Sequence, residues 1–266
     1  MGNGRRNMYH VAVKLDRLWN RMKGMLKRGS EDQKSSIGED EYDWRFYHFD
    51  YEAQLNEIAH KHLQKLNPGD FNVVEGRIHL KKSLLPLHAN HRCLYEGILA
   101  LEPKTVLEVG CGGGDHMHNL RTLMPELTVR GIDRSSQQLD LLKKRSPHLA
   151  DYVSIASITG DCPEVEGADV VYTQAVIMHI QEPGKHWQAL ANMFHLARNQ
   201  VVMMENWARH AFVDDILRLA AEGVVPWTPN FYFLRAEGRP HLLIASREPL
   251  TMEPLRDYRQ MLYGDV

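Results

Sequence analysis

The chain has 266 residues, 43% of them hydrophobic, and its 32 Lys and Arg nearly balance 34 Asp and Glu. A globular composition without a cationic excess argues against a disordered chain, a fibrous repeat or a protein coated for nucleic acid. The three cysteines are odd in number and form no Cys-x-x-Cys pair. They predict a reducing, cytoplasmic setting without a disulfide scaffold or a metal site.

The first 28 residues carry eight Lys and Arg and one acid. An apolar residue recurs every three or four positions, which predicts a basic amphipathic helix, and an acidic linker follows to residue 43. The apolar stripe consists of Met8, Val11, Leu15, Leu18, Met22 and Met25. Three interpretations remain open: packing on the main domain or on a second copy of the chain, peripheral contact of residues 8–26 with the inner face of an anionic membrane, or a free tail.

Residues 44–103 are predicted to form a separate helical region that covers the substrate pocket. Helical periodicity runs over residues 51–66 and 89–101. The sequence Asn67-Pro68-Gly69-Asp70 ends the first of these helices.

From residue 104 to 266 the pattern changes to β-rich runs that alternate with helical stretches. The predicted strands are 105–109, 127–132, 152–158, 169–176, 200–204, 231–235 and 242–246, and the predicted helices are 114–124, 135–145, 184–198 and 209–222. Alternation at this spacing predicts an α/β fold with a mostly parallel seven-stranded sheet and helices on both faces. The last two strands are too close for a crossover, so they predict a C-terminal antiparallel hairpin.

The most informative stretch is Val106-Leu107-Glu108-Val109-Gly110-Cys111-Gly112-Gly113-Gly114-Asp115, where a strand gives way to a helix. The amide groups at the start of that helix could receive a charged group, and glycine allows its close approach. A dinucleotide fingerprint would need glycine where Asp115 stands, and a P-loop would need Gly-Lys-Ser/Thr. The acid Glu108 favours a ligand that carries positive charge.

This stretch resembles the first motif of class I, Rossmann-like S-adenosylmethionine-dependent methyltransferases, and the likeness covers roughly residues 100–248. The resemblance implies that S-adenosylmethionine binds at Glu108, Gly110, Cys111, Gly112 and Gly114. An acid beside the turn suits the ammonium and sulfonium of that cofactor.

Two later segments extend the resemblance. Asp133, with Arg134, ends the second strand where an acid can accept hydrogen bonds from both ribose hydroxyls. Asp161 and Cys162 follow the third strand, at a position similar to the adenine-contacting one of the family. The alternative roles are a helix N-cap for Asp133 and a turn cap for Asp161.

The acceptor side depends on residues that follow the fourth and fifth strands. The resemblance places Thr173 to Ile180 beside the reactive methyl, so Gln174 is expected at the cofactor and His179 is a candidate general base. Glu205 and His210 reach the same edge and could form a base with its orienting acid. The alternatives are a structural histidine at position 179 and, at position 205, a buried acid that caps the next helix.

These residues predict a methyltransferase that acts on a hydroxyl of a small molecule or glycan. The Asn/Asp-Pro-Pro-Tyr signature typical of nucleic-acid base methylation is absent. The alternatives are an N-methyltransferase for a small amine, a nucleotide-dependent reductase, and a cofactor-binding module without turnover.

Overall fold

A computed structural model describes residues 65–84, 86–161, 164–236 and 239–263. Several predicted features lie outside these ranges: the basic helix, the acidic linker, most of the helix over 51–66, and Cys162. The proposed membrane contact of residues 8–26 therefore stays a prediction.

Nine strands and six helices follow one another in the described residues. The strands are β1 (Phe71–Val74), β2 (Arg77–Leu80), β3 (Thr105–Val109), β4 (Thr128–Asp133), β5 (Val153–Ile155), β6 (Ala168–Gln174), β7 (Ala197–Met204), β8 (Asn230–Ala236) and β9 (Arg239–Ser246). The helices are α1 (Ala89–Ala100), α2 (Asp115–Leu123), α3 (Ser136–Arg145), α4 (Lys185–Leu196), α5 (Phe212–Ala221) and α6 (Arg259–Tyr263). Short 3₁₀ helices cover Pro147–Tyr152 and Ile177–His179.

Seven strands form one sheet in the order β5-β4-β3-β6-β7-β9-β8. The first five pair in parallel, whereas β9 is antiparallel to both β7 and β8. The predicted parallel sheet and its reversed C-terminal hairpin are thereby confirmed. Strand order reverses at β3, so β4 and β6 flank it, and the carboxyl end of β3 is the place where open α/β sheets bind ligands.

Successive residues of the central strands enter two different cores. Leu107, Val171 and Val201 pack with α4 and α5, and Val106, Val170 and Val202 pack with α1, α2 and α3. This alternation follows from the two-residue period of a strand, and it explains why the strands read as continuous apolar runs. By the same alternation, Glu108 lies on the same face as Val106, which α1 and α2 cover.

Residues 71–80 form a hairpin that the sequence analysis missed within the region expected to be helical. Its two-residue turn, Glu75-Gly76, has positive φ at both positions (50° and 73°), as the turns that suit the twist of a hairpin require. The hairpin is tied to α1, because the Glu96 carboxylate accepts from the Ile78 amide at 3.0 Å and from the Arg77 guanidinium at 2.7 Å.

Strands β7 and β9 begin three residues earlier than predicted, and β5 and β6 end earlier than predicted. Strand β5 has three residues, because Pro147 starts a 3₁₀ helix that continues to Tyr152. Strand β6 ends at Gln174, because Ala175 has a φ of 55° and the 3₁₀ helix of Ile177–His179 follows. The chain that carries His179 is therefore a compact turn and not a continuation of the strand.

No helix within the described ranges has both the length and the apolar character that a membrane crossing requires.

A pair of glycine variants separates backbone strain from crowding at the start of α2. Gly114 and Gly76 have φ of 76° and 73°, but a Cβ on Gly114 would lie 2.6 Å from Leu142 Cδ1, whereas one on Gly76 would meet nothing within 4 Å. We expect Gly76→Ala to lower the free energy of unfolding by about 1 kcal/mol and Gly114→Ala by about 1–3 kcal/mol more. Urea unfolding measures both, and equal losses would contradict the packing described for the turn.

Candidate functional site

The turn after β3 is held by the neighbouring strand through its own amide groups. The amides of Gly110 and Cys111 both donate to the Ile132 carbonyl, at 2.8 and 3.0 Å. The Gly112 amide donates to Asp133 Oδ2 at 2.9 Å. These donors are therefore already used within the protein and do not form the open cradle that a diphosphate needs. The expectation that amides at the start of the following helix receive a charged group concerns other donors and stays a prediction.

Glycine is required in the turn for two reasons. Gly110, Gly112 and Gly114 have φ of 74°, 48° and 76°, the left-handed region that other residues rarely adopt. A Cβ on Gly110 would also lie 2.5 Å from Val176 Cγ2, in the segment that follows β6. The turn and that segment are thus packed directly against each other.

Glu108 lies in β3 directly under the turn and is 2% exposed. Its Oε2 is buried without a regular hydrogen-bond partner among the described residues. Burial raises the pKa of Glu108 well above its usual value. The hydroxyl of Tyr172 lowers this pKa, although the two groups do not form a regular hydrogen bond. The negative charges of Asp115 and Asp133 raise it further. A cation bound near the turn would favour the ionised carboxylate, so this acid fits a positively charged ligand.

Asp133 stands at the end of β4 with spare acceptor capacity. Its Oδ2 accepts from the Gly112 amide and its Oδ1 from the Ser135 amide at 2.8 Å. A carboxylate has about four acceptor positions, so two remain for a diol. Burial raises the pKa of Asp133 against the effect of these hydrogen bonds. The N-cap of α3 is Ser135, whose Oγ accepts from the Gln138 amide, so Asp133 does not have the capping role that was its alternative.

The remaining predicted cofactor residues lie in different surroundings. Arg134 and Asp161 are exposed. The loop before Asp161 is fixed from the opposite face of the sheet, because Asn192 Nδ2 donates to the carbonyls of Ile158 and Gly160 at 2.8 and 3.0 Å. Their cofactor roles stay predictions.

A buried polar network on α1 and α2 adjoins the turn. His116 Nδ1 lies 2.8 Å from the Tyr95 hydroxyl, and its ring meets that of His91 edge to face with centroids 4.8 Å apart. Burial lowers the pKa of His116, although the Asp115 carboxylate and then the Gln174 side chain oppose this. Gln174, predicted at the cofactor, therefore lies near this network at the end of β6. The repeated histidines of α1 and α2 were the only available sequence signal, and their contact depends on how the helices pack.

Asp115 fixes the start of α2 to the end of α3. Its two carboxylate oxygens each accept from the Arg145 guanidinium at 2.9 Å, and Lys65 Nζ lies 4.0 Å away. This bidentate pair orders the helix that follows the glycine turn. This ion pair is hard to predict from the sequence, because Asp115 and Arg145 are 30 residues apart.

Glu205 binds the turn that carries His179 and has no contact with the His210 side chain among the described hydrogen bonds. Its Oε1 accepts from the Thr173 hydroxyl and from the amides of Val176 and Ile177 at 3.1–3.2 Å, and its Oε2 accepts from the Met178 amide at 3.0 Å. Burial raises the pKa of Glu205 to about 7 in spite of these four donors. Glu205 therefore does not have the helix-capping role that was its alternative, because it binds the turn after β6, and the N-cap of α5 is Ala211, which makes no side-chain capping hydrogen bond.

His210 holds the same turn from another side. Its Nε2 donates to the Ile177 carbonyl at 3.2 Å, and its ring stacks on His186 with centroids 4.1 Å apart. Burial and His186 lower the pKa of His210. Glu205 and His210 thus converge on Ile177–His179, and the three predicted catalytic residues meet through this turn.

His179 is half-buried at the end of that turn. Burial lowers its pKa, and Arg209 lowers it further. The imidazole is therefore neutral near pH 7, the form in which histidine can take a proton. In the part of the chain that the structure describes, no cluster of three or more His, Cys, Asp or Glu side chains could hold a metal ion.

Residues 106–200 match a family model described as a methyltransferase domain. Over 85 residues the chain is 36% identical to the mitochondrial ubiquinone biosynthesis O-methyltransferase of Candida albicans, covering 30% of this chain and 26% of that protein. Over 131 residues it is 33% identical to the trans-aconitate 2-methyltransferase of Rhodopseudomonas palustris, covering 42% of this chain and 50% of that protein. The chain thus spans about a quarter to a half of the length of these two relatives.

A solved structure of a sugar N-methyltransferase from Streptoalloteichus is also similar. Its TM-score is 0.48 at 15% identity, and the likeness covers 60% of this chain and 87% of that one.

The buried carboxylate of Glu205 predicts a specific pH dependence of stability. A pKa raised from 4.5 to about 7 means that the folded chain binds the proton more tightly than the unfolded chain, so this contribution is complete below pH 4.5 and is lost as the pH rises through about 7. Relative to Glu205→Gln, the wild type should lose up to about 3 kcal/mol of unfolding free energy between pH 5 and pH 8. Urea unfolding at each pH measures this, with exposed Glu164→Gln as the control. A constant difference between wild type and Glu205→Gln would contradict the raised pKa.

Proposed function

The chain belongs to the class I, Rossmann-like S-adenosylmethionine-dependent methyltransferases, and on this premise we propose that it methylates a hydroxyl of a small molecule with His179 as the general base. The observation that carries the proposal is that the acid-and-glycine turn, Asp133 and the turn of Ile177–His179, whose backbone is bound by Glu205 and His210, all lie at or just after the carboxyl ends of neighbouring strands. The names of the relatives, which include O-methyltransferases, support oxygen as the acceptor atom.

The cofactor is proposed to bind where the chain offers acceptors and not donors. Asp133 has two spare acceptor positions for a ribose diol, and Glu108 supplies negative charge below the turn. Gly110 and Gly112 leave the surface of the turn free of side chains. When bound, S-adenosylmethionine supplies an activated methyl group on a sulfonium.

His179 is proposed to remove the proton of the acceptor hydroxyl. A hydroxyl holds its proton tightly, so a positioned base contributes about 10²–10⁴-fold to the rate, whereas a neutral amine needs no such help. Lowering of the His179 pKa keeps the imidazole unprotonated at pH 7. Glu205 and His210 act as positioning residues, because they bind the backbone of the turn on which His179 stands.

Loss of the Asp133 carboxylate should weaken cofactor binding. We expect Asp133→Ala to raise the Kd for S-adenosylhomocysteine by an amount equivalent to about 1–3 kcal/mol, the usual loss for hydrogen bonds to a charged group. Titration calorimetry measures this, and Asp140→Ala, an exposed acid on α3, is the matched control. An unchanged Kd for Asp133→Ala would count against the assignment of the ribose site.

Loss of the His179 imidazole should slow transfer and leave cofactor binding intact. We expect His179→Gln to lower kcat about 10²–10⁴-fold at an unchanged Kd for S-adenosylhomocysteine. In the wild type, kcat should rise with pH through an apparent pKa below 6.5, since the neutral imidazole is the active form, and the variant should lack this step. Radiolabelled methyl transfer to a panel of alcohols, phenols and amines provides the measurement.

The same panel tests the reaction class. Turnover on alcohols or phenols with a product stable to mild base supports O-methylation. Turnover on amines alone would show that the acceptor atom is nitrogen and not oxygen. Cofactor binding without any turnover would indicate a binding module. Full activity of His179→Gln would remove this residue from the catalytic set.

A further inference from the structure

A cavity lies between the hairpin of residues 71–80 and the start of α1. Its volume is about 300 Å³, near the lower end of the range for small-ligand pockets. It is lined by Ile78, His79, Leu80, Lys81, Lys82, Leu84, Pro86 and Arg92. None of the predicted catalytic or cofactor residues lines it, so it is distinct from the site described above.

The lining of this basic cavity has charge of one sign. Lys81, Lys82 and Arg92 are basic, and none of the described lining residues is acidic. Two acids in this part of the chain interact with other residues. Glu96 forms an ion pair with Arg77, and the Asp70 carboxylate accepts hydrogen bonds from Asn67. Like charges gathered in a concave surface attract an anion, because the field of the three side chains adds.

Arg92 carries the strongest indication of a ligand. Its Nε is buried and has no hydrogen-bond partner, and no ion pair of Arg92 is found within the described ranges. A buried guanidinium N–H without an acceptor costs free energy, which a bound carboxylate would recover. The guanidinium fork matches a carboxylate in a bidentate geometry, and the two lysines add point charges beside it.

The rest of the lining is apolar. Ile78, Leu80, Leu84 and Pro86 supply carbon surface beside the charged groups. Inorganic ions gain nothing from such a surface, whereas an organic acid can bury its carbon skeleton there. The combination therefore fits a small organic anion better than a free phosphate.

The basic cavity is close in sequence to the buried network at the turn. Arg92 immediately follows His91, whose ring contacts His116 on the helix that the glycine turn starts. Consecutive residues of a helix point about 100° apart, so α1 presents one side chain to the network and the next to the cavity. The first turn of α1 thus carries one residue of the network at the glycine turn and one residue of the basic cavity.

We infer that the basic cavity binds a carboxylate of the methyl acceptor, so that the acceptor is a small organic acid that also carries the hydroxyl. This inference rests on the proposed function. Arg92 holds the carboxylate, Lys81 and Lys82 neutralise it, and the apolar residues contact its skeleton. The cavity thereby sets the substrate class, while His179 acts on the hydroxyl.

Binding of citrate, a hydroxy acid, tests the cavity directly in the full chain saturated with S-adenosylhomocysteine. We expect calorimetry to show citrate binding that weakens with added salt and is absent for the uncharged trimethyl ester of citrate. Arg92→Gln and Lys82→Gln should each raise the Kd for citrate about tenfold or more. Lys82 is exposed, so its substitution leaves the core intact, and Lys143→Gln on α3 makes the same charge change away from the cavity.

The outcomes separate this inference from the proposed function. Normal S-adenosylhomocysteine binding with citrate affinity lost in Arg92→Gln and Lys82→Gln, but kept in Lys143→Gln, supports the inference. Normal S-adenosylhomocysteine binding with no citrate binding, or with equal affinity in all variants, overturns it and leaves the methyltransferase proposal standing. Binding to phosphatidylglycerol vesicles that Lys82→Gln abolishes, without citrate binding, would overturn it in favour of a lipid surface. Loss of S-adenosylhomocysteine binding in the wild type would instead contradict the proposed function.

Discussion

The amide groups of the glycine turn donate to the end of the adjacent strand, and this arrangement decides what the site can hold. Because Gly110 and Cys111 donate to the Ile132 carbonyl and Gly112 donates to Asp133, these three amides are not available to a ligand. Carboxylates dominate instead, with Glu108 below the turn and Asp133 beside it. The site is therefore electrostatically suited to a cationic nucleoside and poorly suited to a diphosphate.

A second constraint organises the acceptor side. The 3₁₀ turn of Ile177–His179 has its amides bound by Glu205 and its Ile177 carbonyl bound by His210. A side chain placed on such a turn keeps its position with little freedom, which is what a general base needs. The Glu205 carboxylate that fixes the turn is buried, which raises its pKa to about 7. The stability of the turn therefore depends on pH.

The sequence was informative where the signals are local. The glycine turn, Asp133 and the order of strands could be predicted because each depends on neighbouring residues or on the two-residue period of a strand. The hairpin was missed because its strands have four residues each and its turn is the uncommon Glu75-Gly76. The role of Glu205 and the contact of His91 with His116 could not be predicted, because both depend on partners brought together by packing from 25 or more residues away.

Titration calorimetry of the full chain with S-adenosylhomocysteine and with NADH tests the central claim most directly. We expect saturable binding of S-adenosylhomocysteine at one site per chain and no detectable heat with NADH. Binding of NADH, or absence of S-adenosylhomocysteine binding, would show that the turn recognises a different ligand and would contradict the account of the site given above.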